Sequence, residues 1–176
     1  MSIELKHEGQ LYFLKNEHWV DSRSIVVPQY LQMELSSLYA KTLDLTSLSF
    51  SQIIEYADKF NKNQSHLLAI HYYEYAANLC DKGQIAYILP RITSCYRKIG
   101  KPQKVIDILS YASNKFGKDV VSFALLTSAA AAYCDIGDYD NALKCCKRAY
   151  ASGAKGSEEI SLVYKRIKKE KPELFE

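Results

Sequence analysis

The sequence predicts an all-α protein built from repeated helix hairpins and preceded by a small β-hairpin. One set of residue types recurs at spacings of 36 and 37 residues. Each recurrence holds two helical stripes separated by a turn position, whereas a stretch near the start of the chain alternates with period two. The chain has 176 residues, of which 48% are hydrophobic, and is therefore long enough to bury a core.

The first predicted segment is a β-hairpin followed by a helix. Residues 11–14 and 19–20 are predicted to be two strands joined by a turn at Asn16 and Glu17. A helix over residues 28–42 follows, opened by a proline, with apolar residues at helical spacing. Because an isolated hairpin is marginal in water, we expect Trp19 to anchor it on this helix or on the first repeat. The alternative is that Trp19 is an exposed platform for a ligand.

Three aromatic residues, Phe60, Tyr96 and Tyr133, anchor the repeated units. Apolar or small residues stand at the same offsets from each anchor, first on one helical stripe and then on a second. Seven positions before the anchors stand Ile53, Leu89 and Leu126, and three positions before them stand Ala57, Thr93 and Ala130. Nine positions after the anchors stand Ala69, Val105 and Ala142, and sixteen positions after them stand Ala76, Ala112 and Ala149.

A turn residue separates the two helices of each unit, four positions after the anchor. Gly100 and Gly137 suit a left-handed backbone at a helix end, because glycine has no Cβ to clash there. The first unit has Gln64 in that place, and it begins with a capping-box pattern at Ser49 and Gln52. Small residues on both stripes predict that the two helices of one unit pack closely.

The third unit carries the most complete pattern. Its run from Ala132 to Ala142, AYCDIGDYDNA, followed by a further alanine, resembles the A-Y-x-x-x-G-x-Y-x-x-A…A core of the tetratricopeptide repeat (TPR) family. The second unit keeps Tyr96 and Gly100, and the first unit is more divergent. The resemblance implies a TPR-like right-handed α-solenoid of three helix hairpins.

The predicted segments combine this resemblance with the change of composition before residue 50. Residues 1–49 hold the hairpin and a capping helix, and residues 50–156 hold three repeats at 50–83, 86–119 and 123–156. Residues 157–176 hold a C-terminal capping helix and tail. The apolar stripe of that last helix is predicted to be Ile160, Val163, Tyr164 and Ile167.

Composition excludes several classes of protein. A net charge of +3 at pH 7 is too small to indicate nucleic acid as the main partner. Apolar stretches fall far short of the ~18 residues that a membrane-spanning helix needs, and the first residues lack the regions of a secretion signal. We therefore expect a cytoplasmic protein, and the composition suits a bacterial one. The five cysteines lack CxxC spacing and are expected to be free packing residues.

Motifs of catalysis and cofactor binding are absent from the sequence, including HExxH, GxSxG, the Walker loop and GxGxxG. Asp135, Asp138 and Asp140 lack the glycine and the closing glutamate of an EF-hand. His66 stands at a turn position that TPR units fill with an aromatic residue, and we expect it to be a half-buried packing residue. The expectation is a chain that is not an enzyme and has no cofactor and no metal.

In the TPR family, the first helices of successive units line a concave groove that holds a peptide or helix of a partner. The resemblance transfers this groove to Ser51, Ile54, Asp58 and Asn61 in the first unit, Tyr87, Ser94 and Arg97 in the second, and Thr127, Ala131 and Cys134 in the third. Pro90 falls on the same face, early in its predicted helix. The family's Lys and Asn clamp for a terminal carboxylate is absent. The expected function is a non-catalytic module for protein–protein interaction that binds a peptide or partner protein.

Two alternatives stay open. The middle repeat, 86–119, carries a net charge of +5, and Lys98, Lys101 and Lys104 flank its turn as a basic edge. This edge is suited to contact RNA or DNA, although cations at a helix C-terminus also simply complement the helix dipole. The other alternative is a structural unit in which the hairpin edge or an end of the solenoid pairs two copies of the chain.

Overall fold

The structure, a computed structural model, describes residues 3–153 and 157–175. In those residues it contains eight α-helices, a three-stranded antiparallel sheet and two short 3₁₀ turns, so the prediction of a mostly helical chain with a small N-terminal sheet is confirmed. The end of the predicted third repeat, 154–156, lies outside the described residues. The chain divides into two compact units, one ending at Leu79 and one beginning at Cys80. Across the described ranges, no helix has both the length and the apolar character that crossing a membrane requires.

The sheet of the first unit has three strands in the order β1-β2-β3, with bounds Ile3–His7, Gln10–Lys15 and His18–Val20. Asn16 and Glu17 have φ values of 48° and 62°, and two positive values in a row are typical of the type I′ turns that close two-residue hairpins. The predicted hairpin and its turn are therefore confirmed. The additional strand β1 was not predicted, and it joins β2 through Glu8 and Gly9, which also have positive φ.

Trp19 fixes this sheet to helix α1, Gln29–Ala40, and is fully buried. Its indole Nε1 donates to the hydroxyl of Ser36 at 3.0 Å, and its ring lies edge-on to Tyr39 at 5.7 Å between centroids. Gln32 holds the Trp19 backbone from both sides, because its side chain accepts from the N–H at 2.8 Å and donates to the C=O at 2.7 Å. The predicted anchor is confirmed, and the alternative of an exposed platform is wrong.

The first helix hairpin completes this unit and consists of α2, Phe50–Lys62, and α3, His66–Leu79. The predicted capping box is present at the start of α2: the Ser49 hydroxyl accepts from the Gln52 N–H, and the Gln52 side chain accepts from the Ser49 N–H at 2.9 Å. This exchange satisfies backbone donors that the first turn of a helix leaves without partners. The strand turn at Glu17 is joined to the hairpin through an ion pair with Lys59 at 2.8 Å.

The second unit contains the other two hairpins and the last helix. These are α4, Lys82–Lys98; α5, Pro102–Phe116; α6, Phe123–Asp135; α7, Tyr139–Ala151; and α8, Glu158–Glu170. Helix α6 packs against α4, α5, α7 and α8. Four of its eight buried residues are the consecutive alanines from Ala129 to Ala132, which point to different sides of the helix. Small side chains let neighbouring helices approach closely. In α8, Ile160 and Ile167 of the predicted stripe are buried.

Helix α4 begins earlier than the predicted start of the second repeat at residue 86. The Asp81 carboxylate accepts from the Gln84 N–H at 2.8 Å, and the Gln84 side chain accepts from the Asp81 N–H at 3.1 Å. This second capping box starts the helix at Lys82, so Pro90 lies in the helix interior and not near its start as the sequence suggested. Proline has no N–H to donate to the carbonyl four residues back, and this interruption lies in the middle of α4.

The same turn closes all three hairpins. In each, the carbonyl of the aromatic anchor accepts from the N–H five residues later: Phe60 from Ser65, Tyr96 from Lys101 and Tyr133 from Asp138, all at 2.9 Å. The residue before each of these donors has positive φ, namely 64° at Gln64, 71° at Gly100 and 81° at Gly137. This is the Schellman arrangement of a helix C-terminus. The predicted left-handed turn position is therefore confirmed in every unit.

The cysteines are free thiols, and four of the five, Cys95, Cys134, Cys145 and Cys146, are buried. Burial raises the pKa of the Cys146 thiol to about 12, with a smaller contribution from the neighbouring thiols of Cys134 and Cys145. A thiol with a raised pKa carries little thiolate at neutral pH and is a poor nucleophile. The prediction of packing cysteines is confirmed for these four.

Candidate functional site

The exposed side of α4 carries a stacked pair of side chains. Tyr87 is 48% exposed, and the guanidinium carbon of Arg91, one turn further along the helix, lies 3.5 Å from the centre of its ring. Arg91 also donates to the Tyr87 carbonyl at 3.0 Å. A guanidinium over an aromatic face is attracted by the negative charge of that face, so Arg91 covers part of the Tyr87 ring and fixes its position on the helix surface.

Three charged side chains join the C-terminal parts of α4, α6 and α8. Arg97 on α4 donates to one oxygen of Asp135 on α6 at 3.3 Å, and Arg166 on α8 donates to the other oxygen at 2.6 Å. Arg166 also donates to the Cys134 carbonyl at 3.0 Å. The hydrogen bond to Asp135 raises the pKa of Arg166 above its ordinary value. One carboxylate therefore serves two guanidinium groups, and the trio keeps an excess positive charge.

This charged trio contributes little to stability. All three side chains are partly exposed, and ion pairs of that kind contribute about 0–1 kcal/mol each because water screens them. Helix α4 has four cationic residues, Lys82, Arg91, Arg97 and Lys98, and no acidic one. Lys82 is paired with Asp119 at 2.9 Å and Arg97 with Asp135 at 3.3 Å, so part of this charge is compensated. The remaining excess of positive charge is suited to attract a negatively charged group.

The predicted groove residues of α6 are mostly buried in the structure. Thr127 is 6% exposed, Ala131 is 4% exposed, and the Thr127 hydroxyl donates to the Phe123 carbonyl of its own helix at 2.8 Å. Cys134 is also buried. They offer a partner almost no surface, because α6 is packed between helices on several sides. Phe123, at the start of α6, is 43% exposed and was not predicted.

The predicted residues of α2, in the first unit, are largely engaged within their own hairpin. Asp58 accepts a short hydrogen bond from the Tyr73 hydroxyl of α3, and the Asn61 side chain lies 3.1 Å from a ring nitrogen of His66. Ser51 contacts the capping hydroxyl of Ser49. Ile54 is half-buried. These contacts give Asp58 and Asn61 a role in holding α2 to α3, and they confirm that His66 is a partly buried structural residue.

The three lysines of the predicted basic edge are exposed around the turn between α4 and α5. Lys98 is the last residue of α4, where a cation complements the helix dipole. Lys101 is the N-cap of α5, and Lys104 lies in its first turn, where the dipole disfavours positive charge. The helix dipole therefore explains the position of Lys98 but not the positions of Lys101 and Lys104. Ser94, predicted to face the groove from α4, is half-buried.

A second exposed aromatic with a cation lies on another helix of the same unit. Tyr111 of α5 is 51% exposed, and the Lys115 ammonium lies 5.1 Å from the centre of its ring. The spacing of four residues is the same as in the pair of Tyr87 and Arg91. The Lys115 ammonium also donates to the Tyr111 hydroxyl at 2.5 Å and so is not stacked as Arg91 is. Tyr111 matches Tyr87 in residue type and exposure, which makes it a control for the binding experiments below.

Acidic and histidine residues are dispersed or engaged in local contacts. Asp138 caps α7, where its carboxylate accepts from the Asn141 N–H at 3.1 Å, and Asp135 is bonded to two arginines as described above. Within residues 3–153 and 157–175, no group of three or more His, Cys, Asp and Glu side chains is placed to hold a metal ion.

Sequence reasoning missed the residues that most define this side of the second unit, namely Arg91, Phe123, Asp135 and Arg166. The four-residue spacing of Tyr87 and Arg91 was a readable signal, because such residues are neighbours on a helix surface. The other contacts join residues 31 and 38 positions apart and had no local signal. No family model matches the chain, and no curated protein matches its sequence.

Proposed function

We propose that this chain is a non-catalytic protein-interaction module of the TPR type, working in the cytoplasm, which binds a segment of a partner protein on the exposed side of α4 in the second unit. The observation that carries the proposal is the stacked pair of Tyr87 and Arg91 on a helix that has four cations and no acid. Tyr87 keeps nearly half of its surface exposed, and an exposed aromatic ring beside a guanidinium is typical of a binding surface.

The TPR assignment is supported by the three equivalent turns. Each repeated unit ends its first helix with the same two backbone hydrogen bonds after an aromatic anchor, and each second helix buries an alanine at the same offset, namely Ala76, Ala112 and Ala149. Equivalent hairpins of about 36 residues are the building blocks of helical repeat proteins. Such proteins use their surface to bind other proteins.

Aromatic and arginine side chains dominate the energy of many protein interfaces. Tyr87 supplies apolar area with a polar end, and Arg91 lies flat on its ring. Arg97, further along α4, and Arg166 of α8 share Asp135 and provide additional donors. We therefore expect the bound segment to contain an apolar or aromatic residue for Tyr87 and one or more carboxylates for the guanidinium groups.

Nucleic acid is the second candidate partner, and the basic edge favours it. Lys101 and Lys104 lie at the start of α5, where no helix-dipole effect explains them. A phosphate backbone binds such lysines mainly by releasing counterions, so its affinity falls steeply with salt. A protein segment that also uses Tyr87 loses less affinity when salt is raised.

An affinity capture from lysate of the source organism tests these proposals. The full chain is compared with Arg97→Glu, Lys101→Glu, Tyr87→Ala and Tyr111→Ala variants at low and high salt, with and without nuclease. The proposal expects a protein that survives nuclease and salt, is lost with Tyr87→Ala and is retained by Tyr111→Ala. If capture is lost after nuclease treatment or with Lys101→Glu, and Tyr87→Ala has no effect on it, the basic edge is the binding surface instead.

A further inference from the structure

Strand β1 is an open edge of the sheet in the first unit. The strand order β1-β2-β3 places it on the outside, and in the described residues β2 is the strand hydrogen-bonded to it. Edge strands present backbone N–H and C=O groups that another strand can pair with.

The opposite edge of the same sheet is closed. The side chain of Gln32 bonds to both the N–H and the C=O of Trp19 in β3. The Trp19 carbonyl also accepts from the Val27 N–H at 3.1 Å, and Val26 forms a bridge with Val20. Because the chain covers the β3 edge in this way, only the β1 edge of this sheet has its outward backbone groups available in the residues that the structure describes.

The register fixes which residues of β1 face outward. His7 and Gln10 close the two-residue turn to β2, so they form a hydrogen-bonded pair, and such pairs alternate along an antiparallel ladder. Leu5 and Ile3 therefore bond to β2 as well. The N–H and C=O groups of Glu4 and Lys6 point away from the sheet, towards the open edge. Both side chains are exposed.

Glu4 and Lys6 find no opposite charge across the sheet. Their partners on β2 are Phe13 and Leu11, which are apolar. An edge with charged side chains normally discourages pairing, but the two charges here have opposite signs and lie two residues apart. An antiparallel copy of the same strand, centred on Leu5, places Glu4 opposite Lys6 and Lys6 opposite Glu4.

We propose that β1 pairs antiparallel with β1 of a second copy of the chain, about a two-fold axis through Leu5, so that the two sheets become one. In this register Glu4 lies opposite Lys6 of the second copy, and the two form a hydrogen-bonded pair. These are the residues whose backbone N–H and C=O groups point towards the open edge. Hydrogen bonding and charge therefore select the same register. The two Leu5 side chains meet at the axis, in a non-hydrogen-bonded pair where side chains come closest.

The inference is independent of the proposed partner site, because it rests on the first unit alone. Isologous pairing of identical surfaces is the usual symmetry of a homodimer. A five-residue edge is a small interface, so we expect a reversible dimer whose population depends on protein concentration. Opposite charges directly across an antiparallel pair stabilise it, and like charges destabilise it.

Charge exchange at the edge tests the proposal by sedimentation equilibrium of the full chain. The wild type is expected to change from 20.1 kDa to twice that mass as concentration rises. Glu4→Lys alone and Lys6→Glu alone each place like charges opposite each other in both symmetric pairs, and we expect each to weaken dimerisation about tenfold or more. The double variant, E4K with K6E, restores opposite charges and is expected to dimerise like the wild type.

A mixture of the two single variants gives the sharpest result. The E4K chain then carries two lysines at the edge and the K6E chain two glutamates, so the two variants are expected to form a mixed dimer while each alone stays monomeric. A matched pair of changes at exposed sites away from the edge, Lys41→Glu and Asp44→Lys, controls for net charge. The proposal is overturned if the wild type stays monomeric at every concentration. It is equally overturned if the single variants dimerise as the wild type does, or if neither the double variant nor the mixture restores pairing.

Discussion

The α2–α3 and α6–α7 hairpins share one turn geometry and differ in the residues that build it. At the left-handed position, the α6–α7 turn has Gly137 with φ of 81°, whereas the α2–α3 turn has Gln64 with φ of 64°. Both turns nevertheless make the same backbone hydrogen bonds to their aromatic anchors. The backbone hydrogen bonds therefore define the turn, and the side chain at its left-handed position sets its energetic cost.

The two hairpins also differ in how their helices are held together. Helices α2 and α3 use polar and aromatic contacts, with the Tyr73 hydroxyl bonded to Asp58 and the rings of Phe60 and Tyr72 5.4 Å apart. Both hairpins bury small side chains at the equivalent positions, Ala57 and Ala69 in the first and Ala130 and Ala142 in the third. The first hairpin, which has Gln64 where the third has Gly137, thus adds polar and aromatic contacts to the small-residue packing that the two hairpins share.

The largest expected effect breaks either hairpin at its core. Ile53 and Leu126 occupy the same position of the repeat, seven residues before the anchor, and are 0% and 1% exposed. Replacing either by alanine leaves a cavity and is expected to lower the free energy of unfolding by about 3 kcal/mol. Urea denaturation measures this, with the exposed Leu162→Ala as the control. A loss below about 1 kcal/mol at either position would contradict their equivalence.

An exchange of the turn residues should affect the two hairpins in opposite directions. Gly137→Gln forces a side chain into the left-handed region and is expected to cost about 1–2 kcal/mol. Gln64→Gly relieves that strain but increases the freedom of the unfolded chain, so we expect a gain of roughly 0.5 kcal/mol. Thermal unfolding of the two variants checks the signs. If both changes destabilise, the turns are not equivalent.

The two hairpins also differ in the residue that precedes the second helix, α3 or α7. Asp138 accepts from the Asn141 N–H and caps α7, whereas the Ser65 hydroxyl of the first hairpin donates to the Glu17 carbonyl in the strand turn. Asp138→Ala is expected to lose about 1 kcal/mol and Asp138→Ser much less, because serine is also a good cap. Asp140→Ala, two residues further along in the first turn of α7, serves as the control. A loss of unfolding free energy as large as that of Asp138→Ala would argue against capping.

The effect that is smallest at neutral pH, where it is absent, concerns one buried ionisable group in each hairpin and appears only in alkaline solution. Burial raises the pKa of Tyr72 in α3 to about 12, above its ordinary value of 10.0. The pKa of Cys146 in α7 is raised to about 12 from 9.0. Because the folded state keeps protons that the unfolded state releases, stability is unaffected below about pH 9 and falls as pH rises towards 12.

Single substitutions separate the two alkaline contributions. Cys146→Ala should flatten the part of the decline that begins near pH 9, and Tyr72→Phe the part that begins near pH 10. Urea denaturation across pH 8–11 provides the measurement. Slopes that neither substitution changes would mean that other groups control alkaline unfolding.

The sequence predicted what depends on local spacing. The anchors, the turn positions at Gly100 and Gly137, and the capping box at Ser49 all follow from residues within a few positions of one another, and each is present. The start of α4 was missed because Asp81 and Gln84 lie before the repeat pattern becomes visible. Strand β1 was missed because its short alternation alone does not distinguish a strand from a coil.

The candidate site was less predictable for a physical reason. The resemblance placed Thr127 and Ala131 on an accessible groove, but the alanine-rich α6 is packed so closely by its neighbours that both are buried. The link of Arg97 and Arg166 through Asp135 depends on three helices meeting, and no short stretch of sequence encodes it. Tyr87 and Arg97 were predicted from the resemblance, whereas the stacking of Arg91 needed the structure.

The most direct test of α4 as the binding surface compares Tyr87, which is stacked with Arg91, with Tyr111, the other exposed tyrosine that has a cation four residues later. Once a partner has been captured, its affinity is measured by isothermal titration for the wild type, for Tyr87→Ala and for Tyr111→Ala. If Tyr87 is a central interface residue, its loss should weaken binding about tenfold or more, while Tyr111→Ala should change the affinity less than about twofold. Equal effects of the two substitutions, or a loss confined to Tyr111→Ala, would contradict the claim that the exposed side of α4 is the binding surface.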